Sequence, residues 1–332
     1  MLTPHHINML RTRSSVIRRI RDFFTLQDYL EVQTPVLSPD LIPEPSIIPF
    51  QTRMHHPFRG SRELYLVPSP EVHMKKLLSW GSGSIFQIGT CFRNQEQIGH
   101  LHNPEFTMLE WYTMHADFLD SLEMMKDLLS DLSSFDEAGI CSRDPVVMTV
   151  SEACWNYARF DLEHCQDIDM LREAVESKEH VETEAIRSAT WEELFHRLFL
   201  TWVEPELPAD RPCFLTHYPR QIDCLAKDIP GTPWKERWEV YLSGRELANC
   251  FSEEISYDKV ASYYCRSSVE LPGRYRDLPE PPPLVDHSFP ELYRSDHGSC
   301  SGTALGVDRL IMALTGAQDI RGVILFPLSD IL

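Results

Sequence analysis

Three short groups of residues in this chain combine side chains that handle a nucleotide. The first is Phe92-Arg93-Asn94-Gln95-Glu96, followed after a few residues by His102-Asn103-Pro104-Glu105-Phe106. An arginine at a strand end can grip a phosphate through two parallel N–H bonds. An aromatic ring on the return strand can stack on a base. The second is Gly302-Thr303-Ala304-Leu305-Gly306-Val307-Asp308-Arg309. Its glycines let backbone approach a ligand, and Arg309, a turn into the following helix, reaches toward a terminal phosphate. The lysine and the spacing of a P-loop are absent. The third is acidic: Glu239, Glu246 and Glu253, with Asn249. Carboxylates beside a phosphate site suit Mg²⁺, which binds through one or two of them plus phosphates. Others suit a cationic substrate. Each group alone also fits an ordinary hairpin, a glycine turn or a solvated acidic surface. The histidines at 55–56, 100 and 102 lack partners in a metal-ligand pattern, so the only metal expected is Mg²⁺ held with substrate.

Positioning these groups requires strands joined by long hairpins. Residues 84–92 and 104–112 predict two strands linked by a polar loop at 93–103. Residues 63–67 predict a strand leading into Ser69-Pro70-Glu71, where Ser69 would cap a helix running through Leu78 and Pro70 would sit in its first turn. Val16, Ile20, Phe23 and Phe24 recur at helical spacing and predict an amphipathic helix over 11–28. A short strand at 29–32 follows it, ended by Thr34-Pro35. Helical periodicity returns at 118–134 and 166–201, with an irregular stretch around 146–148. Residues 213–217 and 237–242 are strand-like, 272–283 are a proline-rich loop, 303–315 a helix opened by glycines, and 322–326 a last strand. The whole reads as an α+β fold, an antiparallel sheet flanked by helices, rather than an alternating parallel one. It is expected as a single catalytic domain over 1–332, with a mostly helical insertion at about 113–210.

Composition narrows the partners. The 332 residues carry a formal net charge of −19, whereas nucleic-acid binding draws on Lys and Arg neutralising phosphates. The one dense basic stretch, Arg11 to Arg21, falls on the first predicted helix. Nine scattered cysteines without a C-x-x-C pair argue against a disulfide framework or a structural zinc site. No apolar run has the length of a membrane span and the N-terminus lacks a secretory core, so a cytoplasmic, membrane-free protein is expected.

In order along the chain, the basic helix with YLEVQTPVL, the segment CFRNQEQIGHLHNPEFTMLEWY and the segment GTALGVDRLIMAL resemble motifs 1, 2 and 3 of class II aminoacyl-tRNA synthetases. HNPEFTMLE and GRELANCFSE are similar to the lysyl-tRNA synthetase branch. The chain as a whole resembles the short paralogues of that branch, the PoxA/GenX family of elongation factor P–(R)-β-lysine ligases, through SPEVHMKKLL, LEWY, ELANCF and CSGTALGVDRL. The resemblance implies activation of lysine or β-lysine by ATP and Mg²⁺ and transfer to elongation factor P by a homodimer. It implies no tRNA partner and no anticodon-binding domain.

The resemblance also implies roles. Arg93 and Arg309 are the catalytic pair, on the α- and γ-phosphates of a bent ATP. Asn94, Gln95, Glu96, His102, Phe106, Glu239 and Gly306 complete the ATP site. Glu239 and Glu246 would hold Mg²⁺. Ser69, Glu71, Glu110, Tyr112, Asn249, Glu253 and Ala304 would line the amino-acid pocket. Ala304 stands where tRNA-charging relatives have glycine. The chain departs from the family in carrying Gln95 for a glutamate, a loop one residue longer, and His100-Leu101 where an arginine is usual. Glu96 is therefore expected to take the acidic role. The sequence leaves open the lysine isomer, the acceptor and the need for a partner aminomutase. It also leaves open two other functions: a lysyl-tRNA synthetase-like enzyme charging tRNA or activating free lysine, and a non-catalytic ATP- or lysine-binding paralogue.

Overall fold

A computed structural model describes residues 4–95, 99–179, 183–295 and 298–330. The chain opens with α1 (Pro4–Leu26), whose Val16, Ile20, Phe23 and Phe24 form one buried stripe. Strands β1 (Leu30–Glu31), β2 (Leu37–Ser38), β3 (Gln51–His56) and β4 (Gly60–Leu66) follow, then α2 (Glu71–Ser79). The hairpin of β5 (Ile85–Phe92) and β6 (Glu105–Met114) comes next, then α3 (Phe118–Asp131). β7 (Val146–Thr149), α4 (Val150–Ala158), α5 (Ile168–Glu179), α6 (Glu184–Ser188) and α7 (Trp191–Leu198) lead into the strands β8 (Cys213–Pro219), β9 (Trp234–Leu242) and β10 (Arg245–Ser252). The chain closes with α8 (Tyr257–Arg274), β11 (Cys300–Gly306) and α9 (Val307–Thr315).

Among the described residues the main sheet has eight strands in the order β1-β5-β6-β11-β10-β9-β8-β7, and β2-β4-β3 form a smaller sheet. The six central strands pair antiparallel, while the edge pairs β1–β5 and β7–β8 are parallel. The sheet is thus mixed at its rims rather than wholly antiparallel. Side chains alternate across strands, and the odd-numbered positions of β6, such as Leu109 and Trp111, join α1, α3 and α9 in the largest apolar core. Phe24 stacks on Phe86 at 4.9 Å and lies 5.2 Å from Trp111, seating α1 on the sheet. A second apolar cluster joins α4, α5 and α7 to β8. Met114 still belongs to β6 and α3 to the main core, so the separately packed helices begin after β7.

Several expectations are corrected. Residues 303–306 are not the start of a helix but the end of β11, held between β6 and β10; the helix begins at Val307. Residues 322–326 form no strand: Ile320–Gly322 is a 3₁₀ turn and Val323 packs into the core. A short apolar run does not distinguish a strand from a buried turn. The irregular stretch at 146–148 becomes β7 because β8 offers it a pairing edge. The periodicity over 166–201 divides into three helices. Thr183 caps α6, and Thr190 forms a capping box with Glu193 at the start of α7. The proline-rich loop starts later than expected, since Pro272 lies in the last turn of α8, a helix the sequence did not announce.

One buried contact joins the first helix, the hairpin and the last helix. The Asp308 carboxylate is 4% exposed and pairs with the Arg13 guanidinium of α1. Its other oxygen accepts the Thr107 backbone N–H of β6 at 2.7 Å, and Arg13 also donates to the Thr107 hydroxyl at 2.6 Å. Removing one partner of a buried pair strands the other. Asp308→Ala is therefore expected to lower the unfolding free energy by about 3–5 kcal/mol, read as a reduced denaturant midpoint at unchanged slope.

Candidate active site

One face of the sheet carries a cleft formed by two adjoining cavities of about 460 and 300 Å³. Strand alternation selects its residues. Phe106, Met108, Glu110 and Tyr112 alternate along β6 and line the cleft, as do Gly302, Ala304 and Gly306 on β11. Ala304 is paired with Glu110 on one side and Asn249 on the other. Glu246, three residues before Asn249, should by alternation point to the opposite face. A bulge at Leu247 changes this: Asn249 pairs with Glu239 and Glu246 pairs with Tyr241. Positions 239 and 241 share a face, so Glu239, Glu246 and Asn249 come to one side of the sheet.

The smaller cavity is lined by Arg309, His102, Phe106 and Gly306. Arg309 donates to the Glu246 carbonyl at 2.9 Å and lies 2.6 Å from Nε2 of His102. The Arg93 guanidinium sits 5.3 Å over the Phe106 ring, a cation–π contact. Glu239 accepts from Arg237 at 2.7 Å and from the Tyr241 hydroxyl at 2.9 Å. Burial, followed by the charge of Glu239, pushes the Glu246 carboxyl up to about 7, against the pull of Arg309, Arg237 and Arg93. Two crowded carboxylates beside an arginine-lined cavity fit the donor set of Mg²⁺, which takes its remaining ligands from phosphate and water.

The larger cavity is acidic. Glu110 accepts from the Ser69 hydroxyl at 2.6 Å and from the Tyr112 hydroxyl at 2.8 Å. Burial and then the charge of Glu71 push it up to about 8. Ser69 also accepts the Glu71 backbone N–H at 3.0 Å, while Pro70, not Ser69, stands at the N-cap of α2. Ser69 is drawn to Glu110 because a hydroxyl can donate to a carboxylate and still accept one N–H. Glu253, beyond the end of β10, is 2% exposed, and its Oε1 has no hydrogen-bond donor among the described residues. Burial pushes Glu253 up to about 7, with Lys75 opposing. Arg93, Met108, Asn249 and Ala304 line both cavities and so mark where they meet.

Residues 1–330 match the family model for class II tRNA synthetases (D, K and N). The chain belongs to this family. Among similar proteins are the elongation factor P–(R)-β-lysine ligases of Yersinia enterocolitica, 36% identical over 97% of this chain and 95% of the relative, and of Pectobacterium carotovorum, 37% identical with the same coverage. The ligase of Hamiltonella defensa is 34% identical over 97% of this chain and 96% of its own length. The family match together with these ligase relatives makes the chain an ATP-dependent ligase of the class II aminoacyl-tRNA synthetase-like type.

Not every residue expected at the site lines it. Asn94 is tied through its backbone to Ile48 at 2.7 Å. Gln95 is exposed, with its backbone in the left-handed region at φ 60°. Neither lines the two cavities. Glu96 lies outside the described residues. Conversely, Glu44, Lys75 and Arg237 were not read from the sequence. Glu44 lines the larger cavity, and desolvation followed by the charge of Glu71 pushes it up to about 7. It sits in a proline-rich loop that offers no periodic signal. Lys75 shows only as one polar position of a helix.

Gly302 is constrained by the larger cavity. A Cβ there would lie 2.4 Å from Oε1 of Glu253 and 2.6 Å from the Tyr112 ring. Gly302→Ala is expected to displace both and to weaken use of the amino-acid substrate by about 100-fold. Nucleotide affinity should be nearly unchanged, which separate titrations of the two ligands would read.

Proposed function

We propose that this chain activates (R)-β-lysine with ATP and transfers it to a lysine side chain of elongation factor P. The observation that carries the reading is Arg93, which lies where the carboxylate-rich cavity meets the cavity of Arg309, His102 and Phe106. A cationic amino acid in the first cavity would direct its own carboxylate to that junction, and ATP in the second would present its α-phosphate there. A carboxylate oxygen then bonds to the α-phosphorus as the bond to the β-phosphate bridge breaks, releasing pyrophosphate. Arg93 and Arg309 act by charge stabilisation and the sheet-borne pocket by orientation. Glu239 and Glu246 would hold Mg²⁺, which supplies neutralisation of phosphate charge. In the second step a neutral lysine ε-amine attacks the adenylate carbonyl, an amide bond forms, AMP leaves and the amine gives up a proton.

Ser69, Glu71, Glu110, Tyr112, Asn249 and Glu253 would receive the two ammonium groups. His102, Phe106 and Gly306 would receive the nucleotide. Asn94, Gln95 and Glu96, which follow Arg93 in the chain, would complete the nucleotide site. The net charge of −19 favours a protein acceptor over tRNA. Exposed Leu26, Leu30, Val36 and Leu37 give the first helix and strand an apolar face suited to a homodimer. No helix among the described residues is long and apolar enough to cross a membrane, in keeping with a cytoplasmic protein.

The test is to incubate the chain with ATP, Mg²⁺, (R)-β-lysine and elongation factor P and to weigh the acceptor. A mass increase of one β-lysyl group, lost in Arg93→Ala, is expected. Aminoacylated tRNA formed at a comparable rate would overturn the assignment. Ala304 gives a finer expectation, because its methyl group fills space beside the substrate that a glycine would leave. Ala304→Gly should shift the ratio of kcat/KM toward α-lysine by about 10–200-fold, measured by pyrophosphate exchange with both isomers.

A further inference from the structure

Lys75 stands behind the acidic cavity without lining it. Its side chain is 3% exposed, and its Nζ lies 2.5 Å from Oε1 of Glu71 and 2.7 Å from Oε2 of Glu253. The ammonium also sits 5.6 Å from the Phe251 ring and 6.0 Å from the Tyr112 ring, both of which line the cavity. A buried lysine is costly unless its charge is matched, and here two carboxylates from different elements match it. Glu71 comes from α2 and Glu253 from the segment after β10. Both carboxylates also line the cavity.

We propose that Lys75 is a positioning residue, the built-in counter-cation of the amine subsite, which fixes the Glu71 and Glu253 carboxylates where they receive the ammonium groups of a diamino acid. The inference rests on the function proposed above. Burial pushes the Glu253 carboxyl toward protonation, the charge of Glu71 adds to this, and Lys75 is the strongest influence against it. A protonated carboxyl no longer attracts an ammonium group. Lys75 opposes this without competing for the substrate, because it approaches from the helix side and does not line the cavity.

The other groups facing it do not replace that charge. Tyr293, from the 3₁₀ turn at 289–294, and Tyr264 of α8 are both pushed up chiefly by burial and stay neutral. Tyr112 is pushed up by burial and then by Glu110, and burial does the same to the Cys300 thiol of β11. Lys227 acts on Glu253 more weakly than Lys75 does. Burial pulls the Lys75 ammonium down, but Glu253 and Glu71 outweigh it and hold the group well above the ordinary lysine range. Lys75 thus stays charged wherever the enzyme works.

The experiment is ATP–pyrophosphate exchange driven by (R)-β-lysine, followed from about pH 6 to about pH 9.5. In Lys75→Met the KM for β-lysine at neutral pH should rise about tenfold or more, with kcat and the KM for ATP nearly unchanged. The acid limb of kcat/KM should move up by about one to three pH units. The sign follows because losing a nearby cation raises a carboxylate's pKa, so ionisation requires a higher pH. A merely structural lysine would lower activity at every pH and leave the limb in place, and that result overturns the proposal. Should the single variant fail to fold, Glu71→Gln is compared with Glu71→Gln/Lys75→Met, which loses one charge of each sign. An upward shift of the limb on removing Lys75 supports the proposal there too, and an unmoved limb overturns it. Wild-type protein without β-lysine-dependent exchange would instead overturn the reading of the site on which it rests.

Discussion

The Asp308 carboxylate holds the architecture together. It accepts from Arg13 of the first helix and from the Thr107 backbone of the hairpin while standing in the first turn of the last helix. Arg309 is its immediate neighbour, so the same turn that fixes the fold also aims the arginine into the cleft. Segments about 200 and 300 residues apart in sequence meet at this point. Such a buried, charge-assisted node tolerates little displacement, since each group depends on the others for its missing solvation.

The sheet translates that rigidity into a site. Alternation along β6 and β11 gives one face to the core and the other to the cleft, so the residues that pack and the residues that bind are interleaved. Displacing one strand by a residue would exchange them. On the neighbouring β10, the bulge at Leu247 breaks this alternation. It brings Glu246 to the side of Asn249 and beside Glu239.

The electrostatics divide along the same line. The smaller cavity presents Arg309 with His102, and the larger presents Glu71, Glu110 and Glu253. Arg93 lines both cavities, so one cation stands where the two meet. The carboxyls pushed up to about 7 and 8 are those most deeply set among like charges. Their ionisation is therefore sensitive to each cation near them, which is why a lysine outside the cavity wall has consequences inside it.

Much of this was legible in the sequence. Helical spacing of Val16, Ile20, Phe23 and Phe24 and the strands around Arg93 and Phe106 are local patterns, and local patterns follow from backbone geometry alone. The three motifs named the family, because residues at fixed spacing on a hairpin and on a strand–helix turn carry the nucleotide chemistry. What the sequence could not supply were contacts whose partners lie far apart. Residues 303–306 read as helix until β6 and β10 claimed their backbone hydrogen bonds, and 146–148 read as irregular until β8 gave them an edge. Lys75 was one more polar position until Glu253 closed on it from another element. Sequence determined the local elements and the family motifs. Only the tertiary structure decided how many charges share one buried space, because that is set by distance and desolvation rather than by spacing along the chain.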